Sequence, residues 1–239
     1  MFWSVQGLGR SVVGAAALLA AILTVGHAQP TTQPAARSLS PAEVDAVLDH
    51  LEACLADVKT ISMDFEQEKH LSVFSDVVKS KGICRFVRPD AVRFEITEPF
   101  GSVLIARQRS VAKYEKMSDG WHKLDIEGAD MILTVTGQIA VWLEGKFRAQ
   151  KDIYDIAATE SDHLTIVLTP RSREMKKQIQ SVELDLSEPQ RDRVTRVTIR
   201  EAGGDYTQID FLNEQRNGAI DPRLFATDGD APTPLPAQK

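Results

Sequence analysis

The sequence predicts a mainly β (α+β) domain, a strongly curved antiparallel sheet carrying a helical cover. Three observations lead there. About ten stretches alternate apolar and polar residues with period two, one long amphipathic helix precedes them, and a charge-poor segment at Gly128–Phe147 interrupts them with helical spacing. A sheet of that many strands tends to curl. Its inner face would be apolar, and two segments, Pro41–Val58 and Gly128–Phe147, are available to cover it. A curved sheet under a helical cover is a container.

Near the start of the chain Arg10 precedes an apolar run from Val12 to Val25, which ends in Gly26-His27-Ala28. That order reads as a cleavable signal peptide over 1–28. The run is shorter than the roughly 20 apolar residues of a membrane span; an uncleaved anchor stays the alternative. No cysteine stands at the cleavage site, which argues against a lipoprotein. Residues 29–39 are rich in Pro, Thr and Ala and read as a disordered leader. Residues 40–226 form the expected domain, and 227–239 a disordered Pro/Ala-rich tail.

Ser40 is placed to cap a helix, with Pro41 at its first position and Glu43 completing a capping box. Val44, Val47, Leu48, Leu51, Leu55 and Val58 then form one apolar stripe. From Ile61 the period changes to two, with Ile61, Met63 and Phe65 on one parity. Further strands are expected at Leu71–Val78, Ser102–Arg107, Val111–Met117 and Trp121–Asp125, the last after an Asp119-Gly120 turn. Ile139, Trp142 and Leu143 have helical spacing; a buried strand at Met131–Val135 is the competing reading. Strands return at Ile153–Ala158, His163–Thr169, Gln178–Leu186, Val194–Arg200 and Tyr206–Leu212.

The central pair lies in Gly82–Pro99, two strands joined at an Arg-Pro-Asp corner. Val92, Phe94 and Ile96 define a dry face, and Arg93, Glu95 and Thr97 a wet one. Cys84, Phe86 and Arg88 share a parity in the preceding strand. A guanidinium on an apolar face needs partners, because it stays charged. Arg88 is therefore read in two ways: paired to a surface acid, or turned inward to hold backbone carbonyls of the covering helices as a latch. Such bonds can be exchanged for water at modest net cost, which suits a container that opens.

Charge narrows the function classes. The whole chain has 28 Lys+Arg and 34 Asp+Glu; the first 28 residues hold only Arg10, leaving 27 against 34, or net −7. An acidic chain argues against nucleic acid and against broad attraction to anionic membranes. Cys54 and Cys84 allow one disulfide, and two buried free thiols are the alternative. His50, His70, His122 and His163 show no metal-ligand spacing, and neither a GxSxG elbow nor a nucleotide-binding glycine loop occurs. No cofactor, metal or catalytic constellation is expected. Parity picks out Phe65, Phe86, Phe94, Ile96, Ile209 and Phe211 as cavity residues from the strands, and Leu51, Leu55, Ile139, Trp142 and Leu143 from the cover.

Several of these pieces together resemble the LolA family, the periplasmic carriers of outer-membrane lipoproteins. Asp64-Phe65-Glu66-Gln67 is similar to the family's early Phe-x-Gln strand. Gly82–Pro99 is similar to its Gly-x-x-x-x-x-Arg-Pro segment, with Phe94 five residues after Pro89. Val167-Leu168-Thr169-Pro170 matches a Leu-Thr-Pro strand end, and Asp205–Phe225, with Gln208, Asn217-Gly218, Ile220-Asp221 and Phe225, a closing strand and turn. The resemblance covers roughly Ser40–Phe225. It implies an incomplete antiparallel β-barrel with a helical lid over a cavity for acyl chains, and it puts the family's lid-contacting arginine at Arg88. It further implies a periplasmic monomer that is loaded by an inner-membrane ABC transporter and delivers acylated lipoproteins to an outer-membrane acceptor, and no enzyme. Carriage of another lipid or glycolipid, and a lipoprotein-sensing regulator of the same fold, are the alternatives; the latter usually needs a further domain after the barrel. Two departures stand out. Arg107-Gln108-Arg109-Ser110 occupies the place of an Asp-Gly turn, and the two cysteines are no family feature. A Cys54–Cys84 bond would tether the first lid helix and leave movement to Gly128–Phe147.

Overall fold

A computed structural model describes residues 36–73, 76–108, 110–125 and 140–234. Its framework is one antiparallel sheet of twelve strands: β1 Arg37–Ser38, β2 Thr60–His70, β3 Val78–Val87, β4 Ala91–Glu98, β5 Ser102–Arg107, β6 Ser110–Met117, β7 Gly120–Leu124, β8 Tyr154–Glu160, β9 Leu164–Pro170, β10 Ile179–Leu186, β11 Val194–Glu201 and β12 Tyr206–Arg216. Their spatial order is β1-β8-β9-β10-β11-β12-β2-β3-β4-β5-β6-β7. Two meanders thus meet at a seam between β12 and β2, where Tyr206 lies opposite His70 and Arg216 opposite Ile61. Strands β7 and β1 are not paired with each other, so the sheet does not close into a barrel.

The inner face is packed by helix α1, Pro41–Leu55. Ser40 caps it as its sequence predicts: the hydroxyl accepts from Glu43 N at 3.4 Å, and the Glu43 carboxylate accepts from Ser40 N at 2.8 Å. Val44, Leu48 and Leu51 bury against Leu164, Ile166, Leu168, Leu184 and Val197. Leu55 and Val58 join Ile61, Met63, Phe65, Cys84, Phe86 and Val92. Residues 140–143 are helical and bring Ala140 and Trp142 onto the same face. Ile139 and the competing strand at Met131–Val135 lie outside the described residues.

The outer face is not left wet along β4. Ala91, Val103, Ile105, Ala112 and Tyr114 form a second apolar layer, covered by the 3-10 turn Pro222–Phe225 through Leu224 and Phe225. Strand β4 is therefore buried on both sides, and this overturns the reading of Arg93 and Glu95 as wet-face residues. Arg93 is 1% exposed. It donates to Glu95 Oε2 from Nε at 2.9 Å and from Nη2 at 2.7 Å, and to the Leu224 carbonyl from Nη1 at 2.9 Å. The charge tolerates burial because a carboxylate and a carbonyl replace its water. Thr97, beyond the cover, is exposed as expected.

Four further expectations differ from the structure. Of the strand expected over Leu71–Val78, residues 71–73 and 76–77 lie in no strand, residues 74–75 fall outside the described residues, and β3 begins at Val78. The leader expected over 29–39 is ordered at its end: Arg37 and Ser38 pair with Glu160 and Thr159, and Arg37 bridges Glu43 and Glu160 at 2.7 and 2.6 Å. The tail expected to be disordered from 227 is held over its first residues. Gly229 O accepts from Tyr114 Oη at 2.9 Å, Thr227 O from Lys123 Nζ at 2.7 Å, and Thr233 Oγ donates to Arg223 O at 2.8 Å. Both cysteines are free. Cys84 is buried under α1, whereas Cys54 sits on the half-exposed flank of that helix, 3.6 Å from His50 Nε2. The tether between lid and sheet is not formed.

Candidate functional site

Inner-face residues from six elements converge on one apolar cavity of about 60 Å³. β3 supplies Cys84 and β4 Phe94; β10 and β11 supply Leu184, Val194, Val197 and Ile199; β12 supplies Ile209 and Phe211. Trp142 and Leu143 close it from the cover. The cavity has room for a few methylene groups and none for a long aliphatic chain. Every lining group is apolar, and an empty space of that kind stays dry.

The sheet register explains the convergence. Val197 pairs with Leu184 on one side and Ile209 on the other, while Phe211 pairs with Phe65 and Phe65 with Gly82. Gly82 has no alternative residue here. A Cβ on it would lie 2.0 Å from Glu95 O and 2.5 Å from the Phe65 ring. That ring instead lies flat over the glycine and stacks on Phe94, centroids 4.0 Å apart and 20° between planes.

Of the cavity residues expected from the sequence, Phe94, Ile209, Phe211, Trp142 and Leu143 line the space. Phe65, Phe86, Leu55 and Ile96 stand in the core beside it, and Leu51 in the neighbouring cluster. Sequence reasoning missed Leu184, Val194, Val197 and Ile199. Their alternation marked the strands, but nothing within a single strand says which of its faces meets the cover.

Just past β3 lies a polar cluster built on Arg88. Its Nε donates to Val58 O and its Nη2 to Leu55 O, both at 2.7 Å. Its backbone N–H donates to Lys59 O at 2.9 Å. One guanidinium thus binds two carbonyls where α1 ends, that of Leu55 in addition to its bond from Val58 N. Its Nε also lies 3.7 Å from Glu144 Oε1, and Lys146 Nζ lies 2.6 Å from Glu144 Oε2. Glu144, a buried carboxylate that sequence reasoning missed, links both covering segments through Arg88. Next to it Gly145 has φ +72°, and a Cβ there would lie 3.0 Å from Leu51 O. This glycine lets the second segment rest directly on the backbone of α1.

Burial pushes the Cys84 thiol up to about 12, which keeps it protonated and unreactive. His50, His122 and His163 contact Gln190 O, Asp119 and Asp185, and His70 stacks on Tyr206. Among the described residues no cluster of ligating side chains could hold a metal ion, and no helix is long and apolar enough to cross a membrane.

A family model described as outer membrane lipoprotein carrier protein LolA matches residues 56–228. No curated protein matches in sequence. Among solved structures, a LolA superfamily protein from Nitrosomonas europaea is 13% identical with a TM-score of 0.40, over 77% of this chain and 98% of that one. The Mycobacterium tuberculosis lipoprotein LppX is 11% identical with a TM-score of 0.44, over 76% and 99%. A complex of Pseudomonas aeruginosa MucA and MucB gives 12% and 0.33, over 77% and 60%.

Proposed function

This chain belongs to the LolA family, and on that premise we propose that it is a periplasmic carrier that takes acyl chains of lipoproteins between its sheet and its helical cover and ferries them from inner to outer membrane. Residues 1–28 are its signal peptide. An inner-membrane ABC transporter loads it, and an outer-membrane acceptor relieves it of cargo. It acts as a monomer and without chemistry.

The observation that carries this reading is the wholly apolar cavity beneath a cover held at its end by hydrogen bonds. Closed, the space admits only a few methylenes, so loading requires the cover to lift. Lifting exposes apolar surface at about 25 cal/mol per Å², and an entering acyl chain restores that contact. The Arg88 bonds to Leu55 and Val58 are exchanged for water at small net cost. Cargo then shifts the population from closed to open by its differential affinity for the two.

The test is mass spectrometry of the protein purified gently from its own periplasm and extracted with solvent. Acylated peptides or whole lipoproteins are expected. A single non-protein lipid would redirect the assignment to carriage of that lipid. An empty protein that also takes up no fluorescent acyl probe would overturn the container and favour a lipoprotein-sensing regulator.

A further inference from the structure

On the opposite face of the sheet, a second pocket of about 220 Å³ opens between β2, β3 and the segment after β12. Arg85 stands in its wall, with Thr60, Ser62 and Gln215 around it and Ile220 and Leu224 along one side. Arg85 alternates with Cys84, so this pocket is separate from the apolar cavity.

The guanidinium of Arg85 is in an unusual position for a half-buried charge. Its Nη1 is buried with no hydrogen-bond partner among the described residues. Its cross-strand neighbour on β4 is Arg93, another cation, and like charges directly opposite one another repel. The nearby carboxylates are engaged elsewhere. Glu95 Oε2 receives both the Nε and the Nη2 bond of Arg93. Asp64 accepts from Asn213 Nδ2 at 2.8 Å. Asp221, on the pocket rim, is held by Arg223 at 2.6 Å and caps the turn that follows it. The Thr60 hydroxyl donates to Gly218 O. Burial lowers the Arg85 pKa, yet an arginine does not discharge in water.

We propose that the pocket over Arg85 binds a small oxyanion, a carboxylate or phosphate carried with a short apolar flank. Arg85 lines the pocket as a cation whose buried Nη1 has no hydrogen-bond partner among the described residues, and a charge-assisted bond to an oxyanion is the strong kind. Ser62 and Gln215 offer further donors beside it, and Ile220 and Leu224 take the apolar flank. The anion would add negative charge beside Arg85, whose facing arginine already holds Glu95 for itself. This site does not depend on the carrier reading, since its ligand and its face of the sheet are different.

The full chain is labelled with 15N, and its arginine Nε–H resonances are followed at constant ionic strength. Inorganic phosphate, acetate and a short peptide with a free or an amidated C-terminus are titrated in turn, with chloride as control. One resonance, absent from the Arg85→Lys variant, should move and saturate in the millimolar range. Tighter binding of the free-acid peptide than of acetate identifies a chain terminus as the source; equal binding of acetate and phosphate identifies a free small anion. Thermal melts provide a second measurement. Arg85→Met should melt higher than wild type without anion, because an unpaired charge has been removed, and should lose any rise caused by phosphate or acetate. Equal shifts with chloride, or no shift together with a lower melting point for Arg85→Met, would overturn the proposal and make Arg85 a packing residue.

Discussion

Two arginines, one on β4 and one in the turn before it, do opposite things, and the difference is testable side chain by side chain. Arg93 is locked in a dry pair with Glu95. Glu95→Leu leaves its charge buried without a carboxylate and should cost about 3–5 kcal/mol in urea denaturation, whereas the double change Arg93→Met/Glu95→Leu should recover most of that loss. Equal losses would show that the pair is solvated. On the proposed carrier reading, the Arg88 bonds to Leu55 O and Val58 O are the ones exchanged for water. Arg88→Leu keeps the apolar stem and removes the fork, so stability should fall by about 1–3 kcal/mol. Dissociation of a bound acyl probe in stopped-flow should become faster as well; an unchanged rate would separate Arg88 from the movement of the cover. Arg88 could be read from its place after Phe86 and before Pro89, since an apolar parity carrying a charge demands partners. Arg93 could not. Its own strand alternates as an amphipathic strand should, and the cover that dries its outer face comes from Leu224 and Phe225, some 130 residues later.

At the scale of elements, helix α1 was the most legible feature, because its start is written locally in Ser40, Pro41 and Glu43. Glu43 also accepts from Arg37, and that pairing with the Ser40 bonds lowers its pKa from 4.5 to about 2. A lowered carboxylate pKa adds stability above the unfolded value and loses it as pH falls through the folded one. Between pH 4.5 and 2, wild type should therefore lose melting temperature more steeply than Glu43→Gln; parallel curves would remove the cap from acid stability. The second covering segment was legible only as an apolar interruption. Its contact with α1 depends on Gly145, whose significance lies in the Leu51 carbonyl 3.0 Å from where a side chain would begin. Gly145→Val should wedge the two segments apart. It should speed probe uptake while leaving the β-sheet circular dichroism unchanged, and a variant with wild-type uptake would show that the segments open without separating at this point.

Across the whole molecule, the sheet changes which face it covers. From β8 round to β4 the inner face is dry under α1 and residues 140–147; from β4 to β6 the outer face is dry under the C-terminal segment. Counting strands from alternation gives the curved sheet but not this exchange, because period two says that a strand has two faces and not which of them is covered. The cavity follows the same logic. Phe94, Ile209 and Phe211 could be found by parity, while Leu184 and Val197 needed the register. Val197→Phe should fill the cavity, weaken acyl-probe binding at least about tenfold and change stability by no more than about 1–3 kcal/mol; undiminished binding would place the acyl chain elsewhere. The seam between β2 and β12 has a consequence in time. β2 is the first long strand made and β12 the last, yet they lie side by side in the middle of the sheet. Until residues 206–216 arrive, β2 offers a bare edge and neither meander can seal the core over the other, and such distant pairings form late. A chain emerging N-terminus first therefore has no finished half to fold early, and it stays threadable until nearly all of it has been made.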